Sequence, residues 1–568
     1  MTDAPSRLKA LRDMATAHYR RGDFQAAERL LEDALKIDPM SAELWSNLGT
    51  AQVSAKRFDA ALQSFESALR LSPNFSNAIA NRANILFALR RYAEAVPAYE
   101  EMLRHDPGHP YALGNLLFCK LQCGYWTNLE ELRVQALAQT QAGKRAITPA
   151  LATAFIDKPS DQQLALQIIA RDKFPPAPPL WRGERYRHDR IRVAYVSADF
   201  HAHATATLMA GIFEAHDRWR FETVALSYGP DDGSAMRARL KQDFDRFLDV
   251  KSESDANIAA LMRREEIDIA VDLKGYTSEA RPAIFAFRPS PVQINYLGFP
   301  ATMSADFMDY LLADRFIVPP EHEAFYAEKI VRLPHSYQPN DRTRPISAVT
   351  PNRAEAGLPE TGFVFCCFNN SFKIVPRMFD IWMRLLREID GSLLWLLEDN
   401  AAATANLKRE AAQRGIAPER LIFAPRAKLE DHLARHRLAD LFLDTLPYNA
   451  HTTASDALWT GLPVLTCMGG TFAGRVAASV LNAAGLPELV TLCLDDYEAL
   501  ALSLARDPAR ITAMKTKLVQ SRETSPLFDA ARFARHLESA YTTMWKRSQR
   551  GEKPAAFDVP AIAASGPG

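Results

Sequence analysis

A period of 34 residues fixes what the first quarter of this chain can fold into. Phe24, Phe58 and Tyr92 fall in register, followed at constant offsets by Ala27, Ala61 and Ala95, by Leu35, Leu69 and Leu103, and by Pro39, Pro73 and Pro107. A unit of this length is a helix pair that cannot bury its apolar face alone, so successive copies must stack into a superhelix. The alanines let paired helices approach, the aromatic fills the gap between them, and the proline stops each second helix. Gly124-Tyr125-Trp126 recurs where Gly22-Asp23-Phe24 began, which predicts a fourth, degenerate unit and an array over residues 1–142.

The pattern is that of tetratricopeptide repeats, whose usual work is binding protein. Asn47, Asn81 and Asn115 keep the same period. Amides in a row along one surface would pair with a peptide backbone without selecting side chains, or each would cap or bridge helices inside the array. Both readings stay open on sequence alone.

At 568 residues the chain is long enough for three or four domains. Its 68 basic and 68 acidic residues cancel, so no global charge draws it to nucleic acid or an anionic membrane. No apolar run approaches a membrane span, and the start, Met1-Thr-Asp-Ala-Pro, lacks a basic-then-apolar signal pattern, so a cytoplasmic location is expected. The six cysteines are scattered in mostly apolar contexts and read as reduced core residues. His201-Ala-His203 lacks the third ligand that a metal would need, so neither metal nor cofactor is expected.

From about Arg190 the pattern changes to alternating strands and helices, as in doubly wound α/β domains. Ile191–Ser197, 221–226, 267–273 and 292–297 read as strands of one lobe; 363–368, Leu393–Leu397, 421–423 and Leu441–Leu443 read as strands of another. The expected division is an array over 1–142, a helical and Pro-rich linker over 143–189, lobes over 190–350 and 351–545, and a flexible Ala/Pro/Gly-rich tail over 546–568.

The chemistry concentrates after Leu441–Leu443, where a polar loop feeds a helix opened by Thr452 and Thr453. Unpaired N–H groups at that helix start, the threonine hydroxyls and the helix dipole suit a pyrophosphate. Asp456, one turn further on the same face, is placed to accept hydrogen bonds from ribose hydroxyls. Lys373, in a loop at a strand's carboxyl end, would neutralise a departing diphosphate.

Together these motifs carry a resemblance. Asp199-Phe-x-x-His203, Gly275-Tyr-Thr, Leu297-Gly-x-Pro300, Phe368-Asn-x-x-x-Lys373-Ile, Leu443-Asp-Thr, His451-Thr-Thr-x-x-Asp456 and Arg475-Val-Ala-Ala-Ser479, behind a tetratricopeptide array, resemble the O-linked N-acetylglucosamine transferases. The resemblance implies an α-α superhelix followed by an α/β GT-B fold of two Rossmann-like lobes. It implies transfer of N-acetylglucosamine from UDP-GlcNAc to Ser or Thr of intracellular proteins, with inversion and without a metal. Lys373 would contact the diphosphate together with Thr452 and Thr453, Asp456 the ribose, His432 the uracil, and Ala427 the base through its backbone. Asn370, Tyr448 and His451 would belong to the same UDP-sugar site; Thr205, Leu297 and Gly298 would line the sugar side. His203 and Asp199 are the two candidates for the proton path. The chain departs from the animal members at Asn370, Phe372, Leu429 and Tyr448, where those have Gln, Tyr, Lys and Cys, and by the lack of a histidine in Ala150 to Asp157. Two other readings remain: transfer of another sugar or to another acceptor, such as glucose to Asn, and a UDP-binding tetratricopeptide scaffold with little or no transfer.

Overall fold

The computed structural model describes residues 4–562 and divides into two compact units, one ending at Thr148 and one beginning at Pro149. The first is built from the helices Ala4–Arg20, Phe24–Ile37, Ala42–Ser54, Phe58–Leu71, Ser76–Ala88, Tyr92–His105, Ala112–Cys123 and Leu129–Gln141, which form four pairs. Ala27, Ala61 and Ala95 are completely buried, as close helix approach demands. The second helices of the first three pairs end alike: the N–H groups of Asp38, Ser72 and Asp106 close the last turn, and the periodic proline follows.

The second unit holds two parallel sheets. The first lobe contains β1 (Ile191–Ser197), β2 (Phe221–Ser227), β3 (Arg246–Asp249), β4 (Ile269–Asp272), β5 (Val292–Asn295), β6 (Tyr310–Asp314) and β7 (Lys329–Leu333). The second contains β8 (Val364–Cys367), β9 (Leu393–Leu397), β10 (Leu421–Ala424), β11 (Leu441–Leu443), β12 (Val464–Cys467) and β13 (Val490–Thr491), and a last strand, β14 (Phe557–Asp558), joins the first sheet. The orders are β14-β7-β6-β5-β4-β1-β2-β3 and β10-β9-β8-β11-β12-β13. Helices cover both faces of such sheets, which is why most strands read as continuous apolar runs. Chain order reverses between β1 and β4 in one sheet and between β8 and β11 in the other. Those two reversals open the crevices where α/β sheets bind ligands.

Two expectations about the flanks need correction. Within 143–189, the helices Pro149–Phe155 and Pro159–Lys173 belong to the second compact unit rather than to a spacer. Gln163 donates to the Ala324 carbonyl of the first lobe at 3.3 Å, and Asp157 accepts from Arg377 of the second at 2.9 Å, so the segment spans both lobes. The tail expected from 546 is ordered through Ile562. The helix Ala530–Gln549 leaves the second lobe and packs on the first: Glu538 accepts from His216 Nδ1 at 3.0 Å and from the Asp217 N–H at 2.8 Å, and Tyr541 meets the Tyr195 hydroxyl at 3.1 Å. β14 then pairs with β7, and the Val559 N–H donates to the Arg332 carbonyl at 2.8 Å. Ala/Pro-rich composition hid a strand anchored by two apolar residues, Phe557 and Val559. The remainder of the expected tail, 563–568, lies outside the described residues. No helix among the described residues is long and apolar enough to cross a membrane. Five cysteines are buried as expected, whereas Cys493 is exposed.

Candidate functional site

The loops at both topological reversals carry the residues singled out by sequence. At the second-lobe reversal, the loop after β8 leads through Asn369 to Lys373, and the loop after β11 runs from Asp444 to the helix Thr452–Trp459. Lys373 is buried; its Nζ donates to the Asn449 carbonyl at 2.9 Å and stands 4.0 Å from the Tyr448 ring centroid. Tyr448 stacks on His451, with centroids 4.7 Å apart, and meets Phe372 edge-on at 5.8 Å. The two aromatic departures, Phe372 and Tyr448, therefore form one cradle beside the ammonium. Burial pushes Lys373 down to about 8, with the charge of Asp444 pulling the other way. Burial pushes the Asp444 carboxyl up to about 6, opposed by hydrogen bonds from Thr466, Ala450 and Thr445. The same burial, reinforced by the Lys373 charge, keeps His451 neutral and well below its ordinary range.

Thr453 donates its hydroxyl to the Asn369 side chain, whose Nδ2 donates to Thr445 at 2.9 Å. That ties the helix start to the β8 loop. His451 is the residue before the helix, and no side chain caps the first turn. Asp456 is buried one turn in, but it does not simply face a ligand: Arg344, from the segment joining the lobes, donates to one of its oxygens. His432 packs edge-on against Phe368 at 5.4 Å and His436 at 4.7 Å, and its Nδ1 meets Arg435. Burial, with His436 and Arg435 adding to it, drives the ring down to about 2, so His432 offers a neutral face. Asn370 and Ala427 are exposed on neighbouring loops, Asn370 lying 3.5 Å from Arg426.

At the first-lobe reversal, Asp199 follows β1 and is clamped by Lys274, whose Nζ lies 2.8 and 2.9 Å from its two oxygens; both side chains are buried. Thr205 reaches the same carboxylate at 3.4 Å. His203 precedes the helix Ala204–Ala215 and accepts the Thr205 N–H on Nδ1 at 3.2 Å. The same Nδ1 lies 3.3 Å from an oxygen of Asp199, so this edge of the ring meets both the Thr205 N–H and that carboxylate. Partial burial lowers this ring's pKa, Asp199 opposing the shift and Lys274 adding to it. Gly298 lies against the loop after β4: a Cβ there would stand 2.0 Å from the Leu273 carbonyl. The residue before it, Leu297, has φ +68°, a left-handed backbone that branched side chains rarely adopt.

The first-lobe residues Asp199, His203, Thr205, Leu297 and Gly298 thus form one group through Lys274, and Lys373, Tyr448, His451 and Thr453 form another through Asn369 and Asn449. The asparagines of the array divide. Asn115 donates to the Tyr99 hydroxyl at 3.0 Å and bridges helices, whereas Asn47 is exposed beside a cavity of about 320 Å³ lined also by Arg12, Tyr19 and Thr50. Sequence reasoning missed Lys274, one residue before a noted Gly-Tyr-Thr, and Asp444 and Asn369, each inside a noted motif. Arg344 had no signal at all.

Residues 179–350 and 340–537 match the family model described as Glycosyl transferase family 41, and 12–74 and 76–109 match models of tetratricopeptide repeats. The chain is 38% identical over 376 residues to the Arabidopsis thaliana protein named probable UDP-N-acetylglucosamine–peptide N-acetylglucosaminyltransferase SEC, covering 65% of this chain and 38% of that one. It is 28% identical over 488 residues to the Caenorhabditis elegans UDP-N-acetylglucosamine–peptide N-acetylglucosaminyltransferase, covering 66% and 42%. The chain spans about two fifths of the length of these curated relatives. Among solved structures, a mutant O-GlcNAc transferase of Thermobaculum terrenum aligns over 97% of this chain and 99% of its own, with 28% identity and a TM-score of 0.70.

Proposed function

Because the chain belongs to glycosyl transferase family 41, we propose that it transfers N-acetylglucosamine from UDP-GlcNAc to Ser or Thr hydroxyls of proteins, with inversion and without a metal. The observation that carries this reading is the convergence of Lys373, its aromatic cradle and the uncapped helix start at Thr452 and Thr453 on one topological reversal. These are cationic and N–H-rich groups where a diphosphate leaving group would develop charge. The acceptor hydroxyl attacks the anomeric carbon as the bond to UDP breaks, and the charge on the diphosphate grows as it departs. A buried ammonium and preoriented N–H groups stabilise that charge more in the transition state than in the ground state. His203 and Asp199 stand 3.3 Å apart, Asp199 is held by Lys274, and these two side chains are the candidates to take the acceptor's proton. Protein substrates are recruited by the repeat array.

Incubation with labelled UDP-sugars and a cell lysate, followed by mass analysis of modified residues, tests the reading. The expected result is N-acetylhexosamine on Ser or Thr, lost by about a hundredfold or more in rate for Lys373→Ala. Hexose on Asn, or UDP binding without transfer, would replace it with one of the two alternatives.

A further inference from the structure

The segment joining β7 to β8 carries an arginine that no motif announces. Arg344 is buried, donates from Nη1 to Asp456 and from Nε to the Asp341 carbonyl at 3.0 Å, and lies 5.7 Å from the ring of Trp459, one turn beyond Asp456. Asp341 is in turn held from the first lobe: Arg239 donates to it at 2.6 Å. A hydrogen-bonded path, Arg239 to the Asp341 carboxylate, the Asp341 carbonyl to Arg344, and Arg344 to Asp456, therefore runs from the first lobe to the helix that opens with Thr452 and Thr453. The segment is also more polar than folding requires. Arg344 Nη2, Gln338 Oε1 and both amide atoms of Asn340 are buried without a hydrogen-bond partner, while Gln338 Nε2 donates to Ser455, the neighbour of Asp456, at 3.1 Å.

Buried unpartnered polar atoms are costly and rarely kept without a use. Arg344 engages one oxygen of Asp456, and the other oxygen has the ribose as its natural partner in the nucleotide site proposed above. We propose that Arg344 is the positioning residue for the donor's ribose, fixing the Asp456 carboxylate so that its second oxygen accepts from the ribose hydroxyls. The inference rests on reading this cleft as a nucleotide site. In support, burial pushes the Asp456 carboxyl up, and Arg344 is the group that pulls it back down. An unpaired Asp456 would be free to turn and to take up a proton.

The test is calorimetric binding of UDP and of 2′,3′-dideoxyuridine diphosphate to the full chain and to Arg344→Lys, Arg344→Met and Asp456→Asn, each checked for a native melting transition. Wild type should prefer UDP to the dideoxy nucleotide. Arg344→Met should weaken UDP by about tenfold or more and the dideoxy nucleotide little, so that the preference collapses; Arg344→Lys should keep part of it. Asp456→Asn should lose the same preference. A merely structural role for Arg344 would weaken both nucleotides equally, and that result, or undiminished preference in both arginine variants, overturns the inference while the nucleotide reading stands. Failure of the wild-type chain to bind UDP overturns both.

Discussion

Lys373 concentrates the electrostatics of the candidate site. Its working form is the ammonium, and burial lowers its pKa to about 8, so the charge is lost as pH rises through about 8. Asp444, pushed up to about 6, takes a proton as pH falls through about 6 and loosens the loop that it holds through Thr445 and Ala450. A kcat/KM profile should therefore be bell-shaped between those limbs; a flat alkaline limb to pH 10 would contradict the role of Lys373. His203→Ala should lower the rate, and a pH–rate profile that this substitution leaves unchanged would remove His203 as the base. Leu297 makes a second residue-scale case. Its left-handed backbone stores strain of about 1–3 kcal/mol. Leu297→Gly should keep or raise the melting temperature while lowering transfer; a drop of several degrees would show that no strain resides there. Lys373 and the threonines were legible because charge and hydroxyl at a helix start are local signals. Arg344 was not, because its partner Asp456 is 112 positions away.

At the scale of elements, some strands were legible and others were not. β1, β9 and β11 have the bounds that their apolar runs predict, because both faces of a central parallel strand are buried. β3, β6, β7, β13 and β14 escaped notice: β3 is half exposed, β13 and β14 have two residues each, and β6 and β7 are five-residue runs marked by Asp314, Lys329 and Arg332. The helix Ala530–Gln549 falls mostly within 351–545, the segment expected as the second lobe, yet packs on the first. Amphipathicity says that a helix packs, but not on what. Its buried Glu538 fixes the answer through His216 and Asp217. Glu538→Ala leaves the buried His216 ring and the part-buried Asp217 N–H without their partner, which should cost roughly 3 kcal/mol and appear as a lower melting temperature with UDP affinity retained per folded molecule. An unchanged melt would show that the contact is incidental to holding the helix on the first lobe.

Across the whole molecule, the proposed function puts acceptor binding and chemistry in separate compact units, and variants should separate them too. Asn47→Ala with Asn81→Ala should weaken transfer to protein acceptors, read as a raised acceptor KM, and leave UDP affinity unaltered. Asn115→Ala should instead soften the array, since that amide is spent on Tyr99. Equal kinetic effects from all three would restore a single amide ladder. The period made the helix pairs of this unit readable, whereas the path of the second unit was not readable, because a chain that crosses between sheets leaves no periodic trace. That path has a consequence for synthesis. The first sheet begins at Ile191 yet receives its edge strand only at Phe557, after the entire second lobe. On a ribosome the earlier lobe must therefore wait, with the β7 edge unpaired, until the later one has emerged, so the order in which the two are completed is the reverse of the order in which they are begun.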